Sequence, residues 1–191
     1  MNPNEEEINI YLIRHGEAGK SWDEDPDPGL SDRGKSQSKL LVTKFKEELA
    51  NKSFNVLSSP LLRAQQTAEP LQRELGFNIE INNIFAEIPS PGIPLAERKE
   101  WLKKIFVTKL ADLEAPQMAW RDKIIESIND LNKHTLIFSH FMVINCVVGW
   151  LKQEEIVVNF YPDNCSVTKL SKTGNELKLN KLGDELTTVV Q

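Results

Sequence analysis

Three short apolar runs, each ending abruptly in a chemically active polar group, constrain this chain more than any other feature. Ile8–Arg14 (INIYLIR) stops at His15-Gly16, residues 54–58 (FNVLS) stop at Ser59-Pro60, and Thr135–Ser139 (TLIFS) stops at His140. Runs this short, rich in β-branched and large apolar residues, read as buried strands. Each is followed by a turn or by a helical pattern. Strands alternating with helices imply an α/β fold, a three-layer α/β/α sandwich around a mainly parallel central sheet.

The remaining segments fill in that plan. Ser31 is an expected N-cap for a helix over 32–50, with Leu40, Leu41, Phe45 and Leu49 along one face. Ser59-Pro60 reads as the start of a second helix that stops at Gly76, a suitable left-handed C′ residue. Residues 78–81 alternate like a strand, 84–94 are proline-rich and irregular, and 95–112 and 116–132 read as helical. Phe141–Lys152 is an apolar helix, and 164–170 and 176–182 are strands joined by Thr173-Gly174-Asn175, a hairpin signal. Residues 1–191 show no linker or internal repeat and are read as one domain.

Composition excludes several classes of function. A formal charge of −5 over 191 residues gives no support for nucleic acid or an anionic membrane as partner. No apolar run approaches the ~18 residues of a membrane span, and the acidic start at Met1 to Glu7 is unlike a secretory leader. The expected compartment is the cytoplasm. Cys146 and Cys165 are too few for a disulfide framework or a zinc site and read as buried thiols. His134 is expected to be exposed in a turn, Trp101 and Trp120 to be core, and Arg98, Lys99, Lys103 and Lys104 to form a solvated face.

In open α/β sheets, ligands gather outside the carboxyl ends of the strands. That rule would bring together Arg14, His15, Arg63 and His140, along with the start of a helix. Guanidinium groups match phosphate oxygens bidentately, and helix N-termini add oriented N–H donors. Phosphoryl transfer needs an in-line nucleophile and stabilised equatorial oxygens. One imidazole is the candidate nucleophile and the other a clamp, with no metal or cofactor required.

With Arg14-His15-Gly16-Glu17, Leu30-Ser31-Asp32-Arg33-Gly34 and Gln37, Ser58-Ser59-Pro60 with Arg63-Ala64 and Gln66-Thr67-Ala68, Ser139-His140, and Asn164-Cys165-Ser166-Val167-Thr168 in this order, the chain resembles the histidine phosphatase superfamily, the phosphoglycerate mutase-like group. The resemblance implies that His15 becomes phosphorylated and that Arg14, Arg63 and His140 bind phosphate. It also implies a carboxylic acid that protonates the leaving oxygen, for which Glu87 is the best match, with Glu17 and Glu97 as lesser candidates. The implied activity is metal-independent hydrolysis of phosphate monoesters, on a phosphorylated small molecule or a phosphoprotein.

Two departures from the family pattern matter. The second histidine is followed by Phe141, where a small residue is usual, so the pocket is expected to be narrowed or reshaped. The span between the histidines leaves little room for the insertion carried by the larger mutases, which favours a phosphatase. Three alternatives stay open: a small protein phosphohistidine phosphatase, a regulatory protein that binds phosphate with weak turnover, and a mutase.

Overall fold

The computed structural model describes residues 6–21, 23–49 and 52–186. The first strand, β1 (Ile8–Arg14), has Ile10 and Leu12 on one face and Tyr11 and Ile13 on the other, all buried. A strand covered on both faces belongs inside a sheet with helices on each side. The chain continues through α1 (Asp32–Leu49), β2 (Asn55–Ser58), α2 (Leu62–Leu75), β3 (Ile79–Ile81), α3 (Arg98–Phe106), α4 (Ala115–Asn129), β4 (Thr135–Ser139), α5 (Phe141–Lys152), β5 (Val167–Thr173) and β6 (Glu176–Lys181).

The six strands lie in the order β3-β2-β4-β1-β5-β6. The first four are mutually parallel, while β5 runs antiparallel to β1 and β6 antiparallel to β5, the expected parallel sheet with an antiparallel hairpin at one edge. Tyr11, Ile13, Val56, Leu136 and Phe138 pack against Leu41, Val42 and Phe45 of α1 and Ala68 and Leu71 of α2. On the opposite face, Ile10, Leu12, Ile137 and Leu170 pack against Ile124 and Ile128 of α4 and Val143, Ile144, Val147 and Val148 of α5. These faces make the three layers. A third cluster joins Ile88, Phe141, Met142 and Val157 to Trp101, Leu102, Ile105 and Phe106, so the α3 segment is bound to the start of α5.

Several boundaries differ from the sequence reading. Ser59-Pro60 does not begin a helix: Leu61 is still extended and α2 starts at Leu62, because the Ser59 hydroxyl is engaged in a turn ahead of it. The 95–112 stretch is broken, with single 3-10 turns at Leu95–Glu97 and Leu110–Asp112 flanking α3. The break has a backbone cause. Leu110 N–H donates to Glu155 O and Val157 N–H to Thr108 O, so residues 108–110 bond sideways to 155–157 instead of continuing the helix. β5 begins at Val167 because Cys165 has a left-handed φ of 56°, which interrupts an extended run. His134 is not an exposed turn residue: its Nδ1 accepts the Asn9 N–H at 2.8 Å, and its ring lies against Phe54. Ala50, the expected end of the first helix, and Met1 to Glu5 of the acidic start lie outside the described residues. Among the described residues, no helix is long and apolar enough to cross a membrane.

Ser31 caps α1 as expected, its Oγ accepting the Gly34 N–H at 3.0 Å. This cap places Gly34 directly against the loop that follows β1. A Cβ on Gly34 would lie 2.1 Å from Glu17 O, and one on Gly16 would lie 2.8 Å from Gly34 O. Either contact would push backbone against backbone, where no rotamer change relieves it. Gly34→Ala is therefore expected to destabilise the fold by about 2 kcal/mol or more, read from the midpoint of urea unfolding. An unchanged midpoint would contradict this contact.

Candidate active site

The parallel pairing of β1 with β4 aligns Arg14 with Ser139, and the His15 N–H donates to Ser139 O at 3.0 Å. His15 and His140 therefore leave adjacent strands at the same height, with ring centroids 5.2 Å apart. Arg63, in the first turn of α2, comes from β2 on the other side of β4. Its Nε donates to His15 Nε2 at 3.1 Å. Thr67, one turn later on α2, ties the helix to the β1 loop: its Oγ1 accepts the Gly16 N–H at 2.9 Å and donates to Arg63 O at 2.7 Å.

These bonds fix the His15 tautomer. Nδ1 lies 2.7 Å from Gly16 O, which can only accept, so Nδ1 carries the proton. Nε2 faces Arg63 Nε, which can only donate, so Nε2 carries the lone pair. Burial, then the charges of Arg63 and Arg14, hold this imidazole well below the usual histidine range, against the opposing pull of the Gly16 carbonyl. The His140 ring is held low by burial, then by Arg63, His15 and Arg14. His140 Nε2 lies 2.6 Å from Ser59 Oγ, so Ser59 belongs to this site and not to a helix cap.

The two arginines are anchored on one side only. Arg14 Nη1 donates to Pro162 O at 2.7 Å. Arg63 Nη1 lies 4.0 Å from Asp27 Oδ1, which itself accepts the Leu62 N–H at 2.7 Å. Buried donor or ring nitrogens remain without a hydrogen-bond partner among the described residues: Arg14 Nε, Arg63 Nη1 and His140 Nδ1. Buried polar atoms are normally paired, so such a group marks the place of an acceptor-rich ligand.

Glu87 reaches the same site from the irregular segment after β3. Its Oε1 accepts the Ile88 N–H at 3.0 Å, and the Met142 N–H at the start of α5 lies near enough to favour its charged form. Burial pushes this carboxyl above its usual range, outweighing those N–H groups and the attraction of Arg63 and Arg14. The lesser candidates are elsewhere. Glu17 is engaged with Ser31 Oγ at 2.7 Å and Arg33 at 3.4 Å, and Glu97 sits exposed in a 3-10 turn. Phe141 lies against Arg14, with Cζ 5.4 Å from the ring centroid.

The sequence reading did not single out Asp27, Pro162 or Thr67 by role. Asp27 sits in an acidic, proline-rich loop, and nothing in the local sequence distinguishes it from Asp23 and Asp25. Pro162 acts through a backbone carbonyl, which leaves no side-chain signal. Cys146 and Cys165 have thiols pushed up to about 12 by burial, so both stay protonated at neutral pH. Among the described residues, no group of three or more His, Cys, Asp or Glu is placed to hold a metal ion.

With this geometry in view, comparison with known proteins gives a family. The chain belongs to the histidine phosphatase superfamily, branch 1, whose model matches residues 10–185. It is 30% identical over 190 residues to the serine/threonine-protein phosphatase Pgam5, mitochondrial, of Drosophila yakuba, covering 92% of this chain and 62% of that protein. It thus spans about three fifths of the length of the curated relatives it matches. The solved structure of Entamoeba histolytica phosphoserine phosphatase superposes with a TM-score of 0.73 at 21% identity, covering 93% of this chain and 97% of that one. A putative alpha-ribazole-5'-P phosphatase from Escherichia coli K-12 gives a TM-score of 0.72 at 21% identity, over 96% of this chain and 99% of its own. At such identities the structures establish the common fold.

The lowered histidines can be tested directly. In histidine NMR spectra, the His15 and His140 rings should stay neutral as pH falls through the range in which an ordinary imidazole protonates. Adding orthovanadate should raise their titration, because an anion favours the charged ring. A ring of either residue titrating near the ordinary value in the free protein would contradict the assigned environment.

Proposed function

We propose that this chain hydrolyses phosphate monoesters through a phosphohistidine formed on His15. The observation that carries the reading is the His15 Nε2 lone pair, set among Arg14 Nε, Arg63 Nη1 and His140 Nδ1, none of which has a hydrogen-bond partner among the described residues. A phosphoryl group seated there meets a nucleophile and charge-complementary donors at once.

The cycle follows from these positions. The phosphate engages Arg63 and Arg14, which frees the His15 lone pair. Nε2 attacks phosphorus, the P–O bond to the leaving group breaks, and Glu87 gives its proton to the departing oxygen. Nδ1–H, bonded to Gly16 O, keeps the ring oriented while it is phosphorylated. In the second half, the Glu87 carboxylate takes a proton from water, the oxygen attacks phosphorus, and the P–N bond breaks. Inorganic phosphate leaves, and both His15 and Glu87 return to their starting protonation states.

Glu87 bears on the choice of substrate. A phosphoramidate leaves with less help than an alkoxide, so an acid with a raised pKa favours ester substrates over phosphohistidine proteins. The unpartnered donors and an intact acid favour turnover over a purely regulatory role. Similarity to a serine/threonine-protein phosphatase along most of this chain supports phosphoserine and phosphothreonine esters as substrates, beside small phosphate esters. No step in the cycle requires a metal.

His15→Ala is expected to abolish turnover on p-nitrophenyl phosphate and on phosphoserine. Wild-type enzyme quenched in alkali should carry a phosphoryl group that acid removes, and EDTA should leave the rate unchanged. Loss of activity in EDTA that added metal restores would overturn the scheme.

The pH dependence has a definite sign. His15 must be neutral, and its lowered pKa keeps it so into the acid range, while Glu87 must be protonated for the first step. Turnover of alkyl phosphates should therefore fall as pH rises through the raised Glu87 pKa. Glu87→Gln should remove that limb and lower kcat on alkyl phosphates by about 10²-fold or more, with a smaller loss on p-nitrophenyl phosphate. Equal losses on both substrates would argue against the proton-donor role.

A further inference from the structure

We propose that Phe141 is the positioning residue for Arg14, an uncharged platform that holds the guanidinium in the plane required to grip a phosphate. The proposal rests on the phosphatase reading only in needing an anion to enter beside Arg14.

The ring is the first residue of α5, directly after His140. The helix start that presents the second imidazole thus also presents the platform. Arg14 Cζ lies 5.4 Å from the ring centroid, within the ~6 Å at which a cation is held by an aromatic face. The ring is itself fixed on its other sides. Phe106, the last residue of α3, stacks on it at 5.2 Å with an interplanar angle of 15°, and Tyr161 leans on it at 5.7 Å and 59°. Phe106 and Tyr161 meet each other at 6.3 Å and 72°. Phe141 is buried, with 8% of its surface exposed, so it is not a free wall for substrate.

Arginine loses considerable rotamer freedom when held in one geometry. A carboxylate could hold it, but would neutralise it and compete with the incoming phosphate for the same N–H groups. An uncharged ring avoids both costs: with Cζ 5.4 Å from its centroid it attracts the cation without accepting any of its N–H groups. Pro162 O holds Nη1 at one end of that edge, and Nε is left buried and without a hydrogen-bond partner among the described residues. Two contacts of different kinds, a hydrogen bond from Nη1 and an aromatic ring beside Cζ, therefore act on the group. Through Phe106, the α3 segment becomes part of this support.

The test is a double-mutant cycle read by orthovanadate inhibition and by p-nitrophenyl phosphate kinetics, with Phe141→Leu, Phe141→Tyr, Arg14→Gln and the Phe141→Leu/Arg14→Gln pair. Phe141→Leu should weaken orthovanadate binding and raise KM by about five- to tenfold, with kcat within about twofold of wild type. Phe141→Tyr, which keeps the ring, should stay within about twofold in every constant. In the Arg14→Gln background, Phe141→Leu should add no further loss, because the ring then has nothing to position. Additive losses, or unchanged orthovanadate affinity in folded Phe141→Leu, would overturn the proposal. Should Phe141→Leu fail to fold, Phe106→Leu replaces it, with a smaller loss in the same direction that also vanishes beside Arg14→Gln. A wild-type protein that binds orthovanadate and obeys the cycle without hydrolysing any ester would sink the phosphatase reading and leave this one standing.

Discussion

The parallel pairing of β1 with β4 is the interaction on which the rest of the site depends. It sets Arg14 opposite Ser139 and passes the His15 N–H to the Ser139 carbonyl, so two imidazoles distant in sequence emerge together. A slip of one residue in that ladder would turn every side chain of β1 to the other face. The strand is apolar on both faces, and the register is defended by distinct partners on each: Leu41, Val42 and Phe45 of α1 on one side, Val143, Val147 and Val148 of α5 on the other. The position of the chemistry is therefore a result of core packing, and the polar residues at the strand ends inherit it.

A second layer of order sits on top of the sheet. The glycine contact between the β1 loop and the start of α1, and the Thr67 bridge between that loop and α2, clamp the backbone around His15 from two helices. The cluster joining α3 to the start of α5 then brings Glu87 and the aromatic support of Arg14 to the same place. The arginine charges are offset by Asp163 near Arg14 and Asp27 near Arg63, with Glu87 close to both. Burial would otherwise work strongly against two adjacent cations.

Much of this was legible in the sequence because it is local. Strand ends, the Ser31 cap, the Gly76 stop and the Thr173-Gly174-Asn175 hairpin each depend on a few consecutive residues. His15, Arg14, Arg63, His140 and Glu87 were all picked out, and the structure brings them together. What escaped depends on partners distant along the chain. Residues 95–112 carry a helical pattern, yet lateral bonding to 155–157 breaks it. His134 looked like a turn residue because the Asn9 N–H it accepts lies on another strand. Ser59 looked like a cap because its other partner, His140, is 81 positions away. Asp27 and the Pro162 carbonyl carry no signal in their own surroundings.

The bond from Arg63 to His15 has a consequence for the resting protein. A lone pair already occupied by a guanidinium N–H is a poor target for stray electrophiles and a poor ligand for passing metal ions. Only a group with oxygens to offer the arginine can draw it aside and expose the ring nitrogen. In the cycle proposed above, selectivity for oxyanions would begin before any bond to phosphorus forms, since the ring nitrogen is released only as Arg63 turns to an incoming oxygen.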